Sequence, residues 1–83
     1  MTEKLYYLDA YIKKFDAEVV SVSERDGKYE VTLSKTAFFP EGGGQACDLG
    51  TLGDAAVLDV QEKDGNILHL CDKPLSGTVT GKI

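Results

Sequence analysis

The sequence predicts an all-β fold, a small antiparallel β-barrel with a glycine-rich loop. Three observations carry that expectation. Apolar residues recur with a period of two rather than about 3.6. Two Asp-Gly pairs, Asp26-Gly27 and Asp64-Gly65, each stand between alternating runs and suit two-residue hairpin turns, in which both central positions take positive φ. No segment has the caps and long apolar stripe of a helix. Several short strands with frequent glycine turns in a small chain suggest a barrel or a sandwich, and the barrel is the expected form.

The elements follow in order. Leu5 to Ile12 reads either as an opening strand or as a short helical turn. Phe15-Asp16-Ala17-Glu18-Val19 alternates as a half-buried strand does. Val20 and Val22 then carry apolar character to the opposite face, which suggests a bulge or a strand covered on both sides. Arg25-Asp26-Gly27-Lys28 turns the chain. Tyr29, Val31 and Leu33 share one face of the return strand, with Lys28, Glu30 and Thr32 on the other. A second hairpin repeats the pattern: Ala55 to Glu62 is a strand with Val57, Leu58 and Val60 apolar, Lys63-Asp64-Gly65-Asn66 the turn, and Ile67 to Leu70 the return. Two similar hairpins are too few for a repeat array. Pro74 to Gly77 supplies a further turn, and Thr78-Val79-Thr80 begins a last strand.

Composition bounds the function. At 83 residues the chain is a single domain, residues 1–83, with room for only a small core. Fourteen acidic against nine basic residues leave a net charge of −5. That balance argues against a free-standing nucleic-acid binder and against DNA, because phosphate contacts need a positive surface. No run is long and apolar enough to span a membrane. The N-terminal residues lack the uninterrupted apolar region of an export signal, so a cytoplasmic chain is expected. Cys47 and Cys71 are then reduced thiols serving as small buried hydrophobes.

The informative stretch lies between the hairpins, from Lys35 to Gly50: Lys35-Thr36-Ala37-Phe38-Phe39-Pro40-Glu41-Gly42-Gly43-Gly44-Gln45-Ala46-Cys47-Asp48-Leu49-Gly50. Consecutive glycines permit positive φ and close approach by another group, and their bare N–H groups can line a concavity for carbonyl or phosphate oxygens. Pro40 stiffens the entry and biases Phe39 towards extended geometry. Phe38 and Phe39 should point to opposite sides, one to the core and one to whatever the loop faces. Neither nucleotide-binding glycine fingerprint is present. Read from chemistry alone, the stretch is either a functional loop or a plain surface connection.

The run Thr36-x-Phe38-Phe39-Pro40-Glu41-Gly42-Gly43-Gly44-Gln45-x-x-Asp48-x-Gly50 resembles the glycine-rich motif of the alanyl-tRNA editing family, which comprises stand-alone deacylases of the AlaX type and the editing part of alanyl-tRNA synthetase. Val57-x-x-Val60, Gly65-x-Ile67-x-His69 and Gly77-x-Val79-x-Gly81-x-Ile83 are similar to the same family in the same order. The resemblance runs from about Tyr6 to Ile83. It implies a translation-protein-like β-barrel that precedes a separate α/β editing domain. That domain holds zinc through His-x-x-x-His and a later Cys and His, and hydrolyses tRNA mischarged with serine or glycine. This chain holds a single histidine and no such motif. It stops at Gly81-Lys82-Ile83, in mid-strand, which is read as the end of the N-terminal part of a longer editing protein. In two places the motif departs from the family: Phe39 stands where tyrosine is common, and Ala46-Cys47 replaces a proline-containing pair.

The resemblance implies that Thr36 and Gln45 face the amino-acid site, with Pro40, Glu41, Gly42, Gly43 and Gly44 forming the loop and the role of Glu41 open. Thr36 would hydrogen-bond the hydroxyl of a misattached serine; otherwise it is a strand-end threonine of good β propensity. Gln45 would orient ester, water or backbone; otherwise it is an exposed loop amide. His69 is a strand histidine with a locally hydrogen-bonded ring rather than a ligand beside Cys47 and Cys71, since a structural zinc site needs four ligands and usually a close cysteine pair. Lys13-Lys14 is assigned no site. The expectation is therefore an accessory domain that holds no catalytic residue and no metal, with zinc in the absent domain. Its partners are that editing domain, in cis or in trans, and aminoacylated alanine tRNA. The alternatives are a stand-alone small β-barrel that binds RNA or protein, and, last, a self-contained hydrolase, for which no histidine–nucleophile pairing is suggested.

Overall fold

The computed structural model describes residues 2–8, 11–42, 44 and 46–83. Eight strands follow in order: β1 (Glu3–Lys4), β2 (Lys14–Arg25), β3 (Lys28–Leu33), β4 (Lys35–Thr36), β5 (Gly50–Leu52), β6 (Ala55–Lys63), β7 (Asn66–Cys71) and β8 (Thr78–Lys82). Between β1 and β2 lies one turn of 3-10 helix, Leu5–Tyr7, so the ambiguous segment from Leu5 to Ile12 opens as a helical turn, just after the two-residue strand β1; its residues 9 and 10 lie outside the described residues. The chain is all-β.

Six strands form one antiparallel sheet in the order β2-β3-β7-β6-β5-β8, and β8 pairs back onto β2, so the sheet closes on itself. The ring is uneven. The β2–β8 ladder runs from Lys14↔Lys82 to Glu18↔Thr78, whereas β5 and β8 meet only at Thr51↔Lys82 and Leu52↔Gly81. The long β2 belongs to two ladders, switching from β8 to β3 where the register shifts between Val19 and Ser21. That shift is the bulge expected near Val20. It leaves Val20 and Val22 on the exposed side of a projecting hairpin, so this strand is not covered on both faces.

Both Asp-Gly turns form as expected. Asp26 and Asp64 each sit at φ 53, followed by Gly27 at φ 78 and Gly65 at φ 83, the paired positive values a two-residue turn needs. A second register shift, between Val57 and Asp59, turns Leu58 outward and lets Val57 and Val60 both face the core despite their odd spacing. Phe15, Ala17, Val31, Leu33, Phe38, Leu52, Val57, Val60, Ile67, Cys71 and Val79 fill the interior. Phe38 stands edge-on to Phe15 at 5.8 Å.

The N-terminal residues from Thr2 to Lys4 bond back onto the sheet. β1 runs parallel to β4 with Glu3↔Lys35 and Lys4↔Thr36 in register, and the Glu3 N–H donates to the Ser34 carbonyl (3.0 Å). Thr2 is buried, and its hydroxyl accepts the Ile67 N–H at 3.0 Å. This pairing carries the Leu5–Tyr7 turn to the glycine-rich loop, where the Tyr6 ring tilts against Phe39 at 4.8 Å.

Candidate functional site: a tethered glycine loop above a buried threonine

The chain leaves β4 at Thr36 and enters the loop through Phe38, Phe39 and Pro40. The two phenylalanines lie on opposite sides, as expected. Phe38 is fully buried, and Phe39 is 38% exposed. Pro40 is buried at the entry.

Three tethers hold the base of the loop. Phe39 and Asp48 close it across its width: the Phe39 N–H donates to Asp48 Oδ2 (3.1 Å) and the Asp48 N–H to the Phe39 carbonyl (3.0 Å). The Glu41 N–H donates to the Val60 carbonyl (2.9 Å), while Glu41 Oε1 accepts from Gln61 Nε2 (2.9 Å). The Cys47 thiol points to Asp59 Oδ1 at 3.5 Å, and Asp59 also accepts from Gln61 Nε2 and from the Val60 N–H. Loop and β6 are thus joined by hydrogen bonds on both limbs. Glu41 has a bracing role in this web.

An alanine Cβ built at Gly42 or Gly44 meets no atom of the described residues within 4 Å. Gly44 needs its glycine for a φ of 84, but Gly42 is not at positive φ. Neither its backbone φ nor packing against the described residues calls for glycine at position 42. Gly43 and Gln45, both expected in the site, lie outside the described residues.

Thr36 lies beneath. It has no exposed surface, and its hydroxyl oxygen accepts the Phe38 N–H at 3.0 Å and stands 2.8 Å from His69 Nε2. The other ring nitrogen, His69 Nδ1, is 2.9 Å from the Val31 carbonyl, directly across the β3–β7 ladder. His69 is itself fully buried, edge-on to Phe38 at 5.6 Å. Burial lowers its pKa to about 4, with the Val31 carbonyl opposing the shift, so the ring is neutral at pH 7. The expectation of a locally hydrogen-bonded strand histidine is met, but its link to Thr36 was not anticipated. The signal was in the sequence: Ile67, His69 and Cys71 alternate on one face, and their neighbours are core residues.

Burial raises the Cys47 thiol's pKa and pushes that of Cys71 up to about 11, so neither is a ready thiolate nucleophile. Burial also pushes the Tyr6 phenol up to about 12. Among the described residues no three His, Cys, Asp or Glu side chains converge in a way that could hold a metal ion, and both nitrogens of His69 already have protein partners. These residues do not fit a zinc site. Elemental analysis of the dialysed chain is expected to give far less than one zinc per chain; a tightly held equivalent would contradict this geometry.

Fold and site together define a small all-β domain that presents a tethered glycine-rich loop. No family model matches the chain. It is 50% identical over 93 aligned residues, covering 99% of its length, to an alanine–tRNA ligase of Halobacterium salinarum, and 43% identical over 88 residues to an alanine–tRNA ligase of Ignicoccus hospitalis. It is 40% identical over 74 residues, 84% of its length, to the alanyl-tRNA editing protein AlaX-L of Pyrococcus horikoshii. The chain spans 10% and 9% of the two ligases and 18% of the editing protein. It belongs to the alanyl-tRNA editing-related family, as the counterpart of one segment that these longer proteins share. Among the described residues no helix is long and apolar enough to cross a membrane.

Proposed function

We propose that this chain is the glycine-loop domain of a cytoplasmic alanyl-tRNA editing protein. Its closed sheet is the small translation-protein-like barrel of that family, and it contributes amino-acid recognition to the hydrolysis of alanine tRNA mischarged with serine or glycine. Hydrolysis itself belongs to a zinc-holding editing domain, supplied in cis or in trans. This chain's residues shape the pocket and exclude water, with Gly42, Gly43 and Gly44 admitting the ester end of the substrate at close range. Thr36 and Gln45 read its side chain. The Thr36 hydroxyl has no exposed surface, so contact with a serine side chain requires local displacement of the residues that cover it.

One observation carries this reading. The loop is anchored at its base to Asp48 and to β6, while a Cβ at Gly42 would meet no atom of the described residues within 4 Å, and Gly42 is not at positive φ. A glycine that the chain does not need for itself leaves space for another molecule. The kinship of nearly the whole chain with segments of proteins named for alanine–tRNA ligation and alanyl-tRNA editing supplies that molecule's class.

The test is reconstitution. An editing domain assayed with this chain, fused or added, is expected to hydrolyse Ser-tRNA and Gly-tRNA charged on alanine tRNA. The chain alone is expected to hydrolyse neither, since its described residues present no activated nucleophile or general base. Turnover by the 83-residue chain alone, or indifference of the editing domain to its presence, would overturn the reading.

A further inference from the structure

We infer that His69 is a positioning residue for Thr36: it takes the hydroxyl proton, leaves Thr36 facing the substrate as an acceptor, and so sets preference for a serine over a glycine ester. This rests on the functional reading above, in which Thr36 meets the amino-acid side chain.

The assignment of protons follows from the partners. The Val31 carbonyl carries no proton, so the hydrogen between it and His69 Nδ1 (2.9 Å) belongs to the ring. A neutral imidazole protonated at Nδ1 has only a lone pair at Nε2. The 2.8 Å contact there must therefore be Thr36 Oγ1–H donating to His69. The Phe38 N–H, at 3.0 Å, occupies one lone pair of the same oxygen. The proton and one lone pair of Thr36 are thus committed, and one lone pair is left.

A substrate group that meets that lone pair has to be a donor. A serine hydroxyl can donate, and a glycine ester has no side chain to do so. An alanine methyl likewise offers no proton to that lone pair, so the serine ester alone gains the extra hydrogen bond. His69 is suited to hold this state. It is fully buried, is fixed across the ladder from Val31, and packs edge-on to Phe38, the residue that begins the loop. Burial keeps it neutral, which preserves the lone pair that the Thr36 proton needs.

Two measurements test the inference. In the 15N-labelled chain at pH 7, the ring nitrogen shifts of His69 are expected to show a protonated Nδ1 and a bare Nε2; the opposite tautomer overturns the inference. In the assembly with an editing domain, kcat/KM is measured for the serine and glycine esters with wild type, Thr36→Val, His69→Leu, the double variant and His69→Gln. Thr36→Val and His69→Leu should each lower the serine-to-glycine ratio on the order of 10-fold. The double variant should do no more than Thr36→Val alone, and His69→Gln, whose side-chain oxygen can accept the Thr36 proton, should restore most of the ratio. A merely structural histidine would lower both esters equally or act additively with Thr36→Val, and either result overturns the inference. Should His69→Leu not fold, His69→Asn takes its place, keeping the donor to Val31 without the reach to Thr36. Failure of the wild-type assembly to hydrolyse either ester overturns the functional reading and this inference with it. An active assembly whose ester ratio ignores His69 overturns this inference alone.

Discussion

Gly50→Ala is expected to unfold the domain or to lower its stability by about 3 kcal/mol or more, the upper end for forcing an extra methyl into packed structure. An added Cβ would stand 2.0 Å from the Lys82 carbonyl oxygen, 2.9 Å from Ile83 Cα and 3.0 Å from the Lys82 carbonyl carbon. All three are backbone atoms, so no side chain can swing aside. The clash falls where β5 approaches the end of β8, the shortest ladder in the ring, so relief means opening the sheet. Urea denaturation of wild type and variant measures the loss, and an unchanged midpoint would contradict the closed arrangement. Gly81→Ala should cost less. There the added methyl meets the Phe15 ring at 2.5 Å, and a ring can shift at some cost in packing.

Mild acid is expected to destabilise the fold through His69. Its pKa is about 4 when folded against 6.5 in an open chain. Above pH 6.5 both states are neutral and this group adds no slope. Below it the unfolded imidazole takes a proton that the folded one refuses until about pH 4, so stability falls as pH drops through that window. The slope is about 1.4 kcal/mol per pH unit, which makes the full loss on the order of 3 kcal/mol, and about 2 kcal/mol is already gone at pH 5. For a chain with so small a core that is a large share of its stability. Denaturation midpoints at pH 7 and pH 5 should show the loss in wild type and a much smaller one in His69→Gln. A midpoint flat between these pH values would mean that the imidazole is not held neutral in the core.

What was legible in the sequence was what local chemistry decides. Asp26-Gly27 and Asp64-Gly65 announce their turns because few other pairs accept two successive positive φ values. The strands they join carry their own alternation, and the apolar switch at Val20 betrayed the first bulge. The second bulge was hidden: Val57-Leu58-Asp59-Val60 has no single period, and only the register shift explains why two valines three residues apart both face inward. β1, β4 and β5, of two or three residues each, are too short to show any period and exist because longer neighbours offer them partners.

The site was legible only in part. The glycine run marked the loop, and Phe38 and Phe39 took the two sides their succession required. The tethers from Asp48, Asp59 and Gln61 depend on which loop residues fold over β6, and spacing does not encode that. The pairing of Thr36 with His69 joins residues 33 positions apart. It follows from β4 and β7 meeting at one core position, although the inward alternation of Ile67, His69 and Cys71 would have placed the ring inside.

Whether the glycine-rich loop receives another molecule, as proposed, is tested most directly by Gly42→Ala. Alanine fits the described backbone and meets no atom of the described residues within 4 Å, so the melting temperature of the chain should be unchanged or slightly raised. In the assembly with an editing domain, the methyl group should stand where the ester end of the substrate approaches and lower kcat/KM for Ser-tRNA on the order of 10-fold or more. A stable Gly42→Ala variant with undiminished hydrolysis of both esters would contradict the claim that this loop receives the substrate.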